Sequence, residues 1–169
     1  MGKSDQGLAS GPDRYRAIPR VLVFLRNSQE ILLLKGAPDK RIWPNLFNGV
    51  GGHVEAHEDV LTAARREIHE ETGLTVADLD LKAVVNIDAS DGSLGIIMFV
   101  FVGRSQNEET IASREGELHW VPIERLDSYP LVEDLHWMLP HILELPNNEP
   151  PLFLHYHYND KDKLVIRPA

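Results

Sequence analysis

The sequence predicts an α+β fold, with helices packed against a mixed β-sheet, and two observations support this class. Apolar runs of strand length, bounded by turn-forming residues, recur from residue 16 to the end of the chain. Two longer segments interrupt these runs, and their apolar residues recur at helical spacing. Because the 169 residues contain no internal repeat, low-complexity tract or linker, we expect a single domain over residues 16–169.

The strand predictions rest on apolar and β-branched runs, which cover residues 16–27, 30–36, 81–88, 94–103 and 117–123. Residues 37–52 contain two prolines and three glycines, so we interpret them as a loop. Residues 151–168 predict a hairpin that turns at Asn159 and Asp160. The strands therefore enclose one long glycine-rich loop, which directly precedes the first helical segment.

Two helices are predicted, at residues 58–72 and 128–145. In the first, apolar residues at three-then-four spacing share one face, and Gly73 supplies a C-terminal stop. The second is expected to begin with Ser128 as its N-terminal cap, followed by Pro130 and two acidic residues in the first turn. Both helices are long enough to cover a face of the predicted sheet.

The composition limits the classes of partner. A net charge of −9 at pH 7 argues against binding to long nucleic acid, because phosphate backbones bind basic protein surfaces. No apolar run is long enough to span a membrane, and the absence of cysteine excludes disulfides, thiolate metal ligands and cysteine nucleophiles. Residues 1–15 are polar and lack the apolar core of a signal peptide, so we expect a mobile leader and a cytoplasmic protein. The sequence contains no signal for an oligomeric state.

Three glutamates crowd the C-terminal half of the first predicted helix. Glu67, Glu70 and Glu71 share a helical face, where like charges repel and the macrodipole disfavours negative charge further. A hard divalent cation would relieve this repulsion, and an all-oxygen ligand set favours magnesium or manganese over zinc. An acidic cluster alone is more typical of a solvated surface. Here, however, Gly51 and Gly52 precede the helix and permit close approach of a ligand.

Residues 52–74 follow a fixed pattern of glycine, five residues, glutamate, seven residues and then Arg-Glu-aliphatic-any-Glu-Glu-any-Gly-aliphatic. The chain supplies Gly52, Glu58, Arg66, Glu67, Ile68, Glu70, Glu71, Gly73 and Leu74, without a gap or a substitution. This pattern is the Nudix box, so the chain resembles the Nudix hydrolase superfamily. The resemblance implies a Nudix fold, which is an α/β/α sandwich with a mixed central β-sheet. It also implies hydrolysis of a nucleoside diphosphate linked to another moiety.

The resemblance implies which residues bind the metal ion. In relatives, magnesium is bound by three glutamates of the box and by a backbone carbonyl of the preceding loop. The matching positions in this chain are Gly51, Glu67, Glu70 and Glu71. A further carboxylate usually comes from the loop before a late strand, where Glu115 fits best and Glu117 is the alternative.

Cleavage of a pyrophosphate linkage requires that the phosphate charge be neutralised and that a nucleophile be made near neutral pH. Bound magnesium neutralises charge and lowers the pKa of its water, and a free carboxylate takes the proton. Glu70, Glu71 and Glu115 are all candidates for this base. Arg66 is expected to pair with neighbouring carboxylates and hold them in position. Lys35, at the end of the second strand, is a candidate phosphate contact, with a solvated strand-end lysine as the alternative.

From about residue 20 to the C-terminus, the chain also resembles the MutT-like enzymes that hydrolyse oxidised purine nucleoside triphosphates such as 8-oxo-dGTP. In that group an asparagine before the double glycine contacts the purine, and Asn48 matches it. Two adjacent acids followed by a tryptophan contact the base edge, and Glu133, Asp134 and Trp137 match these positions. Adjacent carboxyls in an apolar pocket can share a proton, so that one accepts and one donates. A turn residue and two helix-start acids are the alternative interpretations.

One departure from that group concerns stacking on the base. Relatives have a tryptophan near the acid pair where this chain has Leu131, so stacking is expected from Phe47 or Trp43. Near the C-terminus, His155 and His157 lie two residues apart, which is compatible with zinc binding. A solvent-facing strand edge is the favoured interpretation of these histidines.

Three functions follow from these observations. The favoured one is a magnesium-dependent hydrolase of small nucleoside triphosphates, oxidised purines among them, which releases a monophosphate and pyrophosphate. The second keeps the chemistry but changes the substrate to a nucleotide sugar, a dinucleoside polyphosphate or a related derivative. The third is a non-catalytic module that senses a nucleotide, and the complete set of box glutamates argues against it.

Overall fold

The computed structural model describes residues 14–88, 93–113 and 115–169, so most of the predicted leader lies outside the described residues. The strands form one eight-stranded mixed sheet. They are β1 (Arg16–Arg26), β2 (Glu30–Gly36), β3 (Phe47–Asn48), β4 (Leu79–Asp88), β5 (Leu94–Arg104), β6 (Gly116–Pro122), β7 (Leu152–Tyr158) and β8 (Leu164–Pro168). The described helices are α1 (Val60–Thr72), α2 (Leu135–Glu144) and a 3₁₀-helix over Ile123–Ser128.

The sheet runs in the order β3-β2-β1-β5-β4-β7-β8, and β6 pairs with the other edge of β2. The β1–β5 and β4–β7 pairs are parallel, and the remaining pairs are antiparallel. β1 and β2 pair only near Leu25 and Leu32 and then diverge. The glycine-rich loop follows β1 there, with isolated bridges from Val50 to Val23 and from His53 to Arg20. This divergence brings the loop beside the centre of the sheet.

The central strands are buried on both faces, and alternate residues belong to two different hydrophobic clusters. On β1, Leu22 and Phe24 pack on the α2 side, whereas Val21, Val23 and Leu25 pack on the α1 side. Full burial of one such side chain contributes roughly 1.5–3 kcal/mol to folding. The predicted α/β/α sandwich with a mixed sheet is therefore confirmed. No helix among the described ranges is long and apolar enough to cross a membrane.

The first predicted helix is confirmed with a shift of two residues at its start. The side chain of Asp59 accepts hydrogen bonds from the amides of Leu61 and Thr62, at 2.8 and 3.0 Å, so the helix begins at Val60. It ends at Gly73, whose φ of 74° is left-handed and suits glycine. These two caps place the glutamates of the helix against the glycine-rich loop.

The prediction of a helix beginning at Ser128 is wrong. Ser128 ends the 3₁₀-helix, and its hydroxyl donates to the carbonyl of Arg125 at 2.7 Å. Beyond it, the Phe47 amide donates to the Pro130 carbonyl at 2.9 Å, and the Val132 amide donates to the Phe47 carbonyl at 3.0 Å. These bonds hold residues 130–132 extended beside β3, and α2 begins only at Leu135. The predicted C-terminal hairpin is confirmed as β7 and β8.

Candidate active site

The glycine-rich loop and α1 meet at Glu71. The Gly51 amide donates a hydrogen bond to the Glu71 carboxylate at 3.1 Å. Glu71 is only 8% exposed, and this burial raises the pKa of its carboxyl to about 7, with the charges of Glu115 and Glu67 adding to the rise. A buried carboxyl that loses its proton near neutral pH is suited to binding a cation or accepting a proton.

Arg66 holds the remaining box glutamates together. Its guanidinium lies 2.6 Å from Glu58, 2.9 Å from Glu67 and 3.2 Å from Glu70, and it also donates to the His53 carbonyl at 3.1 Å. The hydrogen bond from Arg66 lowers the pKa of Glu58, whereas burial raises the pKa of Glu67. The predicted positioning role of Arg66 agrees with these contacts, because one guanidinium orients three carboxylates and the loop.

The Glu67 carboxylate lies directly over Gly52. A Cβ atom added at Gly52 would overlap this carboxylate, so the position has room only for glycine while Glu67 keeps its place. The charges of Glu70 and Glu115 act on Glu67 and raise its pKa beyond the effect of burial. Carboxylates that lie close enough to repel one another have the chemistry that a hard divalent cation requires. The residues present therefore fit such an ion.

The four proposed carboxylate ligands do not converge on a single point. In the three described ranges, no group of three or more histidine or acidic side chains is arranged to hold a metal ion. Arg66 accounts for this arrangement, because it draws Glu67 and Glu70 to itself and leaves Glu71 on Gly51. The predicted ligands are neighbours on one surface, and the guanidinium of Arg66 is the positive charge that lies among them.

Glu115 lies at this site and Glu117 does not. Glu115 forms an ion pair with Lys40 at 2.6 Å, and its charge raises the pKa of Glu71. Glu117 pairs with Lys35 in the β2–β6 ladder, and its side chain is 78% exposed beside His119. The choice of Glu115 over Glu117 thus agrees with the geometry.

A cavity of about 510 Å³ extends from these acids across the α2 side of the sheet. Gly51, Glu71 and Glu115 line one part of it, and Leu22 and Met98 are among its apolar lining residues. The predicted base-contacting residues line it as well, namely Asn48, Glu133 and Asp134. Residues that are distant in the sequence therefore share one continuous space.

Backbone pairing explains how the base-contacting residues come together. The two hydrogen bonds of Phe47 with residues 130–132 tie this segment to β3. Glu133 and Asp134 come directly after the segment in the sequence, so the acid pair is held near β3. The Asn48 side-chain oxygen accepts a hydrogen bond from the Gly49 amide at 2.8 Å, which leaves its NH₂ group as a donor. Burial raises the pKa of Asp134, and the charge of Glu133 raises it further.

The two stacking candidates have different positions. Phe47 is 6% exposed, and its ring makes edge contacts with Tyr129 at 5.3 Å and His119 at 5.4 Å between centroids. Phe47 is a core residue outside the cavity lining, because the backbone pairing of β3 turns its side chain into the cluster. Trp43 is 48% exposed and lines the cavity. Trp137 stacks on His141 at 4.0 Å on α2.

Lys35 does not line the cavity, whereas three basic residues that the sequence analysis missed do, namely Arg20, Lys40 and Arg41. Arg20 and Lys40 are both among the lining residues, and Arg20 donates to the His53 ring at 3.1 Å. The sequence does contain a signal for Arg20, because it has the same strand parity as the inward-facing Leu22. Lys40 lies in an irregular loop, where no periodicity assigns a direction to a side chain.

Two other features lie away from this site. The rings of His155 and His157 stack at 5.4 Å between centroids on β7, and no third histidine or acid completes a metal site with them among the described residues. A second groove, of about 1040 Å³, is lined by Arg65, Gly73 and Asn107 among others, and it contains none of the predicted site residues.

Comparisons with known proteins agree with the geometry. A family model for the NUDIX domain matches residues 16–145. The uncharacterized Nudix hydrolase YvcI of Bacillus subtilis is 30% identical over 111 residues, which cover 63% of this chain and 67% of the relative. The nucleoside triphosphatase NudI of Escherichia coli is 30% identical over 121 residues, which cover 66% of this chain and 86% of the relative.

The fold comparison extends over more of the chain. A crystal structure of the Mutator MutT protein from Bacillus halodurans aligns with a TM-score of 0.75 at 24% identity, covering 90% of this chain and 97% of that one. This likeness confirms the predicted fold. The family model covers more than half of the chain and includes the whole Nudix box. The chain therefore belongs to the Nudix family, as a MutT-like Nudix hydrolase.

Proposed function

We propose that the protein is a magnesium-dependent pyrophosphohydrolase of nucleoside triphosphates, including oxidised purine nucleotides such as 8-oxo-dGTP. It releases a nucleoside monophosphate and pyrophosphate. The observation that carries this proposal is the single cavity that joins the Gly51–Glu71 contact to Asn48, Glu133 and Asp134. A nucleotide bound there has its phosphates beside the acidic helix and its base beside the acid pair. The relative NudI is named a nucleoside triphosphatase, which supports this class of substrate.

The metal ion in this proposal would be held by Glu67, Glu70, Glu71 and Glu115 with the Gly51 carbonyl, and manganese is an alternative to magnesium. When bound, such an ion neutralises phosphate charge and lowers the pKa of its water. Arg66 keeps Glu67 and Glu70 at the loop. Side chains of the protein accept the proton and bind the phosphates and the base.

The proton acceptor is one of Glu70, Glu71 and Glu115, and it is the carboxylate that the metal ion leaves free. Arg20 and Lys40, which are among the basic residues of the cavity lining, bind the phosphate chain. Asn48, Glu133 and Asp134 bind the base through a donor and acceptors. Trp43, at the exposed part of the lining, supplies the stacking surface.

The test is a phosphate-release panel with magnesium, coupled to pyrophosphatase. The substrates are 8-oxo-dGTP, 2-oxo-dATP, dGTP, ADP-ribose and a diadenosine polyphosphate. Preference for an oxidised purine triphosphate, with pyrophosphate as a product, supports the proposal. Preference for ADP-ribose or the dinucleotide would retain the hydrolase chemistry and overturn the substrate, whereas no turnover of any compound would favour a sensing module.

Replacing Lys40 by alanine is expected to raise the KM for the triphosphate about tenfold, because one charge-assisted contact to phosphate is lost. Lys35→Ala is the matched control, since Lys35 is a nearby lysine outside the cavity lining. Steady-state kinetics of both variants on the best substrate measure the difference. An effect of Lys35→Ala larger than that of Lys40→Ala would restore Lys35 as the phosphate contact.

A further inference from the structure

The hydroxyl of Tyr156 is a buried polar group that faces the carboxyl of Asp134 without a well-formed hydrogen bond. Tyr156 lies on β7 and is 2% exposed, and it lines the cavity. Its hydroxyl oxygen is buried, and no group in the described part of the chain has the distance and angle of a hydrogen bond to it. Buried polar groups almost always have a partner, since an unsatisfied one costs about 1–3 kcal/mol. A buried hydroxyl that lines a cavity and lacks a well-formed hydrogen bond therefore indicates that a ligand satisfies it.

The surroundings of this hydroxyl supply acceptors rather than donors. Burial raises the pKa of Tyr156, and the charge of the neighbouring Asp134 carboxyl and its contact with the hydroxyl raise it further, so the hydroxyl keeps its proton. Glu133 lines the same cavity. With two carboxyls already present as acceptors, the contribution that Tyr156 adds to the cavity is a donor.

A further donor shares the cavity with Tyr156. Asn48 keeps a free NH₂ group, because its oxygen accepts from Gly49. These two donors are best satisfied by a base that carries a carbonyl oxygen with two lone pairs, whereas adenine has no carbonyl.

We infer that Tyr156 is a specificity-determining residue, whose hydroxyl donates to a base carbonyl while Asp134 accepts from the neighbouring ring N–H. This inference rests on the proposed function and names the class of base that the site selects. The selected bases have an N–H group next to a C=O group, as guanine, 8-oxoguanine and hypoxanthine do. Tyr156 thus adds a hydrogen-bond donor beside the acid pair Glu133 and Asp134.

The test compares two substrates that differ only at this edge, dITP and the deoxyribonucleoside triphosphate of unsubstituted purine, which lacks both the carbonyl and the N–H. Tyr156→Phe is expected to lower kcat/KM for dITP about tenfold and to leave the purine nucleotide unchanged, so the ratio between them falls. Tyr129→Phe, the same change outside the cavity lining, is expected to leave the ratio unaltered. An unchanged ratio in Tyr156→Phe would overturn the inference.

A binding measurement separates this inference from the hydrolase proposal. Calorimetric titration with the two monophosphates, dIMP and purine deoxyribonucleoside monophosphate, reports base recognition without turnover. If the wild type hydrolyses neither triphosphate, binding still decides the role of Tyr156. A wild type that prefers dIMP and a Tyr156→Phe variant that has lost this preference would support the role, whereas equal affinities of the wild type for the two monophosphates would overturn it.

The folding control is urea unfolding. The unfolding free energy of Tyr156→Phe is expected to match or exceed that of the wild type, because the substitution removes an unsatisfied hydroxyl. Asp134→Asn serves as the second variant, and it is expected to lower the same ratio, because a neutral amide oxygen is a weaker acceptor than a carboxylate.

Discussion

Replacing Glu71 by glutamine is expected to lower kcat by about 10²–10⁴-fold, the range associated with a positioned acid or base. Glutamine keeps the shape of the side chain and an oxygen that accepts from the Gly51 amide. It loses the charge that binds a cation and the ability to accept a proton. Single-turnover kinetics with saturating magnesium measure the effect, and Glu124→Gln, at an exposed position of the 3₁₀-helix, is the control.

The same substitution has an expected effect on stability, whose sign follows from the pKa of Glu71. Its folded-state pKa, about 7, lies above the ordinary value of 4.5. A raised carboxyl pKa contributes stability that is present below about pH 4.5 and is lost as the pH rises through about 7. The metal-free wild type is therefore expected to lose up to about 3 kcal/mol across this window relative to Glu71→Gln.

Urea unfolding of both proteins in the presence of a chelator, at pH 5 and pH 8, measures this difference. The unfolding free energy of Glu71→Gln relative to that of the wild type should be greater at pH 8 than at pH 5. A wild type whose stability relative to the variant does not change between the two pH values would contradict the burial of an ionisable Glu71. Full activity of Glu71→Gln would contradict its assignment to the site.

Replacing Gly52 by alanine is expected to lower kcat/KM about 100-fold while leaving the fold intact. The new Cβ would overlap the Glu67 carboxylate, which is the flexible end of a side chain and can move away. Displacement of a site group by about 1 Å costs roughly this factor. Activity with magnesium, together with urea unfolding, measures both quantities on one preparation.

Gly51→Ala is the matched comparison. Unlike Gly52→Ala, it is expected to destabilise the fold. Gly51 has a φ of 154°, and a Cβ there would meet the backbone carbonyl of Val21, which cannot move aside alone. The expected loss is about 1–3 kcal/mol of unfolding free energy. If Gly52→Ala instead unfolded the protein and kept its specific activity, the contact between Gly52 and Glu67 would be structural rather than functional.

The box residues could be predicted from the sequence because their positions depend on local geometry. Helical spacing alone brings Glu67, Glu70 and Glu71 to one side of α1, and Gly73 ends the helix by its own backbone preference. The continuous apolar run in β1 is likewise typical of a strand buried on both faces. Each of these inferences involves residues within a few positions of one another.

The start of α2 could not be predicted in this way. Ser128, Pro130 and the following acids have the composition of a helix start, yet residues 130–132 pair with Phe47 instead. Those hydrogen bonds join segments more than 80 positions apart along the chain, so no local pattern reports them. The same pairing places Phe47 in the core and Asn48 in the cavity lining, which the resemblance could not distinguish.

By itself, the sequence determined the fold class, the family and the acidic face of α1, because periodicity, capping and fixed spacing are properties of neighbouring residues. Only the tertiary structure decided which charged and polar side chains share the cavity. Arg20, Lys40 and Tyr156 come from β1, a loop and β7, and the order of strands in the sheet brings them together. Strand order arises from long-range pairing, so the cavity lining depends on the folded sheet.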